Sequence, residues 1–135
     1  MPFIEWNEKY SVHIEEIDSQ HKRMFSIINR LHDSMKARKG KEVIGNLLGE
    51  LIDYTYYHFA TEEEYFRLYN YPHFDVHKSE HDLMIDLVAD LKRKFDPNAE
   101  MIINEVMDLL KDWLSDHVLG SDQKYGSFLN ERGIL

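Results

Sequence analysis

From Asp18 onward the chain alternates long amphipathic stretches with short polar breaks. Apolar or histidine positions recur at His21, Met24, Phe25, Ile28, Leu31 and Met35. This three-and-four spacing predicts helix A over residues 18–38, with Asp18 as N-cap and Gly40 just past its end. A second row, Ile44, Leu47, Leu48, Leu51, Thr55, His58, Glu62, Tyr65 and Phe66, predicts helix B from Lys41 to near Tyr69. Asn70 suits its C′ position and Pro72 lies just beyond. Helix C is expected over 74–95, with His77, His81, Met84, Val88, Leu91 and Phe95 facing inward. Asp96–Pro97 reads as an N-cap followed by proline at the first helical position, opening helix D. The inward row of helix D is Ile102, Ile103, Val106, Leu109, Leu110, Trp113 and His117, and Gly120 is expected to end it.

The flanks are less regular. Residues 1–17 show no clean period, but Trp6, Tyr10, Val12, Ile14 and Ile17 predict an arm that packs on the helices. Residues 121–135 predict a short helix or tail held by Tyr125, Phe128 and Leu129. Four helices with short connections make antiparallel neighbours. The expectation is an all-α chain, an up-down-up-down four-helix bundle forming one domain over residues 1–135.

Composition narrows the function classes. The net charge of −9 argues against a nucleic-acid partner, which requires a basic face. No apolar run approaches the ~20 residues of a membrane span, and the N-terminal residues lack the basic and apolar regions of a signal peptide. There is no cysteine, which removes disulfides and thiolate ligands and fits a reducing compartment; a cytoplasmic location is expected. An acidic surface without a contiguous apolar outer stripe leads us to expect a monomer. The eight histidines change the picture most.

His58 and Glu62 are spaced i, i+4, and so are His77 and His81. That spacing puts both members of a pair on one helix face. His21, His117 and Asp122 extend the set to seven candidate donors. In an antiparallel bundle the six donors on the four helices lie at nearly one depth, within about 10 Å at ~1.5 Å per residue. Each also belongs to its helix's inward row. Taken singly, an inward histidine is more often a satisfied core residue than a ligand. Five imidazoles and two carboxylates unpaired in an apolar core would carry a large desolvation cost, which a bound cation offsets. Seven donors exceed the four of a structural zinc site and suit two ions if the carboxylates are shared. Nitrogen and oxygen donors without sulfur favour iron, manganese or zinc. Asp122, five residues after His117, would face away by about 140° on a regular helix. Gly120 between them is expected to break the helix and let Asp122 fold back.

The motifs Asp18-x-Gln20-His21, His58-x-x-x-Glu62, His77-x-x-x-His81 and His117-x-x-x-x-Asp122 resemble the hemerythrins. Trp6, Tyr10-Ser-Val and Ile14 resemble the bacterial branch of that family. The resemblance covers nearly the whole chain and implies a non-haem di-iron centre that binds O2 reversibly. It would place His77, His81 and His117 on one iron and His21 and His58 on the other. Glu62, Asp122 and an oxo or hydroxo group would bridge the two. The implied function is oxygen storage or delivery, with an oxygen-using enzyme as recipient, and not catalysis. Alternatives at the same centre are sensing of O2, redox state or iron, and removal of peroxide or nitric oxide. Trp113, one turn before His117, reads first as core. With Leu119, Phe25, Ile28 and Phe59 it is also a candidate wall of the O2 pocket. His13 stands where the family motif leads us to expect glycine. We read His13, His32 and His73 as surface residues, and Glu63 and Glu64 as a solvated face.

Overall fold

The computed structural model describes residues 3–94 and 100–135, apart from the side chains of residues 41, 94, 100–106 and 109. Four long helices follow one another: α1 (Glu15–Lys36), α2 (Lys41–Tyr69), α3 (Phe74–Lys94) and α4 (Glu100–His117). α2 packs against both α1 and α3. A π-helical turn, Val118–Asp122, then leads into α5 (Gln123–Asn130). In the N-terminal arm Glu8–Tyr10 forms one 3-10 turn. The expected helical bundle is present, and the C-terminal segment is a helix. Among the described residues no helix is long and apolar enough to cross a membrane.

Several boundaries differ from the sequence expectation. α1 begins three residues before Asp18, with Ile14 at its N-cap. Asp18 does not cap the helix. Its carboxylate accepts from the Ser11 hydroxyl at 2.5 Å and the Val12 N–H at 2.9 Å, so it ties the arm to the bundle. Glu15, Glu16 and Asp18 all sit in the first turn, where the helix dipole favours negative charge. Gly40 does not close α1. Arg38 takes the left-handed conformation there (φ 54°), and the Lys39 N–H reaches the Ser34 carbonyl at 3.0 Å. Gly40 is extended and caps the start of α2. Asn70 does end α2 in the left-handed conformation, as expected (φ 56°). Phe95, the Asp96–Pro97 opening of helix D, and the side chains of Ile102, Ile103, Val106 and Leu109 lie outside the described residues.

The inward rows build two apolar clusters rather than one. The larger holds Met24, Phe25, Ile28 and Leu31 of α1 with Leu48 of α2, Met84 and Val88 of α3, and Leu110 and Leu114 of α4. The smaller joins the arm and the C-terminal helix through Val12, Ile14, Ile17, Phe66, Tyr71, Tyr125 and Leu129. The candidate donors occupy the layer between them on the four long helices and the π-helical turn. Along α1 the order is Ile17, His21, Met24; along α3 it is Phe74, His77 and His81, Met84. Polar donors therefore sit in a layer closed above and below by hydrocarbon.

Candidate metal centre

All seven predicted donors are buried: His21, His58, Glu62, His77, His81, His117 and Asp122 are each at most 7 % exposed. The backbone that delivers Asp122 is not the one expected. Gly120 neither ends nor breaks the helix; it lies inside the π-helical turn. In such a turn each N–H reaches the carbonyl five residues back, so a five-residue step closes nearly one full turn. Widening of the helix, and not a glycine break, brings Asp122 back under His117.

The donors converge on two shared carboxylates. Asp122 Oδ1 lies 3.1 Å from Nε2 of both His77 and His117, and Oδ2 lies 3.1 Å from His21 Nε2. Glu62 Oε1 lies 3.2 Å from His58 Nε2 and 3.1 Å from His81 Nε2. Candidate ligand atoms of Glu62, His77, His81, His117 and Asp122 form one group with mutual separations within 4.8 Å, and those of His21, His58 and Glu62 form another.

These close approaches are not ordinary hydrogen bonds. Nε2 of His21, His77, His81 and His117 and all four carboxylate oxygens of Glu62 and Asp122 are buried without a hydrogen-bond partner. Leaving so many polar atoms unmatched would cost far more than a fold of this size can spare. A cation removes the difficulty. Two donors each ~2.1 Å from one ion at a right angle stand about 3.0 Å apart, close to the spacings seen here. The residues fit a pair of metal ions.

Charge in the layer points the same way. Burial and Asp122 both oppose ionisation of Glu62, yet His58 and His81 hold its carboxyl well below the usual range. Burial likewise opposes ionisation of Asp122, and His117, His21 and His77 outweigh it. Burial disfavours charge on His117, but Asp122 and Glu80 raise it to about 10. His58 behaves oppositely: burial dominates and its pKa is lowered.

Three functional contacts escaped the sequence reading. Gln20 Oε1 lies 2.7 Å from His58 Nδ1, and Glu63 Oε2 lies 3.1 Å from His81 Nδ1. Glu80 Oε2 lies 3.2 Å from His117 Nδ1. Glu63 is therefore not part of a solvated face; its side chain is only 18 % exposed. The available signal was adjacency. Gln20, Glu63 and Glu80 each neighbour a predicted donor in sequence, and one residue of helix turns a side chain ~100° toward the adjoining helix. Tyr125 was read only as packing. It is fully buried, its hydroxyl has no hydrogen-bond partner, and burial with Glu62 and Asp122 nearby pushes its pKa well up.

The candidate pocket walls divide. Trp113 stacks on His117 (ring centroids 4.7 Å apart, 12° between planes), and Phe59 stacks on His81 (3.6 Å, 3°). Phe25 and Ile28 are buried in the larger apolar cluster. Leu119 is 37 % exposed. His13 and His73 are exposed, whereas His32 is half-buried and stacks on Phe3 at 4.1 Å.

Comparison with known proteins agrees with this geometry. The family model for the hemerythrin HHE cation binding domain matches residues 12–129. A bacteriohemerythrin of Methylococcus capsulatus is 33 % identical over 131 residues, covering 96 % of this chain and 99 % of the relative. One from Stenotrophomonas maltophilia is 34 % identical over 125 residues, covering 93 % and 80 %. A crystal structure of wild-type hemerythrin superposes with a TM-score of 0.80 at 30 % identity, covering 93 % of this chain and 96 % of that one. With its buried donor layer, the chain belongs to the hemerythrin family, O2-binding proteins whose domain carries a di-iron centre.

Proposed function

We propose that this chain binds O2 reversibly, without consuming it, as a cytoplasmic monomer that stores oxygen or delivers it to an oxygen-using enzyme. His77, His81 and His117 hold one iron, His21 and His58 hold the other, and Glu62 and Asp122 are shared. The observation that carries this reading is the division of Asp122, one oxygen facing His77 and His117 and the other facing His21. A pair of irons held by these residues would supply the reversible two-electron chemistry that O2 binding needs.

The chain's own residues set the conditions for that exchange. Five imidazoles and two carboxylates make a donor set poorer in anionic oxygen than a site built to drive iron to high oxidation states. The His21–His58 side is one imidazole short of the other, which leaves access for a small ligand. Phe59 and Trp113 lie flat against His81 and His117 and keep water from that face of the layer. His58 donates Nδ1–H to Gln20, which turns its Nε2 lone pair inward.

Metal analysis tests the assignment. Chain purified from iron-replete cells should hold two irons. Glu62→Ala and Asp122→Ala should each lose the pair and unfold more readily, because buried imidazoles are left without counter-charge. A single zinc per chain, unaffected by iron reconstitution, would overturn the reading.

A further inference from the structure

The outer nitrogens of the histidines are served in a regular way. Gln20 on α1 hydrogen-bonds His58 on α2, and Glu63 on α2 hydrogen-bonds His81 on α3. Glu80 on α3 lies at ion-pair distance from His117 on α4, 3.2 Å from its Nδ1 but outside hydrogen-bond geometry. Each helix supplies the partner for a histidine of the next. The partners differ in charge. His81 and His117, both on the three-histidine side, face carboxylates. On the two-histidine side, His58 faces a neutral amide oxygen, and His21 Nδ1 is buried with no hydrogen-bond partner among the described residues.

The orientations are fixed by further contacts. A carboxylate can only accept, so His81 carries its proton on Nδ1 and presents the Nε2 lone pair to the layer. The Ser121 hydroxyl donates to Glu80 Oε1 at 3.0 Å and holds that side chain toward His117. Gln20 Nε2 donates to the Thr61 hydroxyl at 3.2 Å, and Thr61 in turn donates to the Tyr57 carbonyl at 3.1 Å. That chain leaves Gln20 Oε1 as the acceptor for His58 and settles the amide's orientation.

We infer that Glu63 and Glu80 are positioning residues that make the two metal sites electronically unequal, with the stronger donors on the His77–His81–His117 side. A charged acceptor draws the Nδ1 proton harder than a neutral one does, and the opposite nitrogen becomes the better electron donor. Better donors stabilise the more oxidised metal. The three-histidine side should therefore give up its electron first, at the lower midpoint potential. This inference rests on the ligand assignment proposed above.

The test is a mediated redox titration of the iron-loaded chain between dithionite and ferricyanide, followed by the electron paramagnetic resonance of the half-oxidised form. Glu63→Gln and Glu80→Gln should each raise the lower midpoint by about a factor of ten in the one-electron equilibrium, or 59 mV, and leave the upper one in place. Gln20→Glu should lower the upper midpoint and leave the lower one. Glu64→Gln is the control; Glu64 is exposed and pairs with Arg67. If Glu63→Gln and Glu80→Gln titrate like Glu64→Gln, the inference is overturned. Where a variant does not retain iron, cobalt(II) titration of its metal-free form decides. A tenfold loss confined to one of two stepwise sites supports the inference, and an equal loss at both overturns it. Failure of the ligand assignment would show separately, as fewer than two irons in the unsubstituted chain.

Discussion

Adding one methyl group at Gly126 should loosen the site from a distance, whereas the same change at Gly45 should stabilise the chain. Gly126 lies in α5, four residues after Asp122. A Cβ there would meet Val12 Cβ at 3.0 Å and the Val12 carbonyl oxygen at 3.1 Å. Val12 has little freedom to yield. Its N–H is held by Asp18 at 2.9 Å, and the preceding Ser11 carbonyl accepts from Gln123 of α5 at 2.9 Å. Overpacking of this kind costs ~1–3 kcal/mol, and alanine's better helix propensity returns ~1 kcal/mol. Gly126→Ala should thus destabilise by roughly 1 kcal/mol, lowering Tm by ~3–5 °C for a chain of this size. A Cβ at Gly45, inside α2, meets nothing within 4 Å. Gly45→Ala should gain roughly 0.5–1 kcal/mol from helix propensity alone. Urea and thermal unfolding of both variants, metal-free and iron-loaded, give the comparison. The loss at Gly126 should be larger in the iron-loaded form, because displacement of α5 carries Asp122 with it. Equal stabilisation by the two substitutions would refute the claim that the arm and α5 are in tight register.

Three further expectations are independent of one another. His13 holds a left-handed backbone (φ 58°), so His13→Gly should stabilise by about 0.5–1 kcal/mol in urea unfolding with iron content unchanged; a loss of iron would give His13 a role at the site. Trp113→Phe should change the autoxidation rate more than Tm if the indole shields His117's side of the layer, and an unchanged rate would reduce Trp113 to core packing. In the metal-free chain the Glu80–His117 contact should contribute most between about pH 4.5 and 6.5. The His117 contact lowers Glu80 to about 2, and its contribution is lost as pH falls below the ordinary carboxylate value toward 2. His117 is raised to about 10 despite burial, through Asp122 and Glu80, and its contribution is lost as pH climbs from 6.5 through about 10. A flat urea midpoint across those limbs would contradict both assignments.

The donors were legible because metal ligation and helix geometry share a period. His58 with Glu62, and His77 with His81, announce themselves at i, i+4, and their rows continue into Leu51 and Met84 without a change of face. Asp122 was legible as chemistry but not as backbone. A five-residue step fits no regular α-helical face, and Gly120 offered a familiar but incorrect break where the chain in fact widens into a π-helical turn. Asp18 and Gly40 misled for a related reason: each has an intrinsic preference for a helix end, and a tertiary contact or the next helix claims it instead. Glu63 was hidden in an acidic run, where composition suggests solvent. Only the approach of α3 shows that, of the two acids read as solvated, Glu63 turns sideways to His81. Local pattern gives the inward face of a helix; which edge residue meets a neighbour depends on the packing of two helices.

Repeated oxygenation of a single sample addresses the carrier reading most directly. The iron-loaded chain, reduced without oxygen, should take up one O2 per pair of irons, with a new absorption band in the visible region. Sweeping with argon should return that O2, bleach the band and leave the sample ready for another cycle with no reductant added. Each cycle should lose only the fraction that autoxidises. If the first exposure instead leaves the sample oxidised, with the O2 recovered as hydrogen peroxide or water and a reductant needed for every further round, the chain consumes oxygen and the account of reversible binding is wrong.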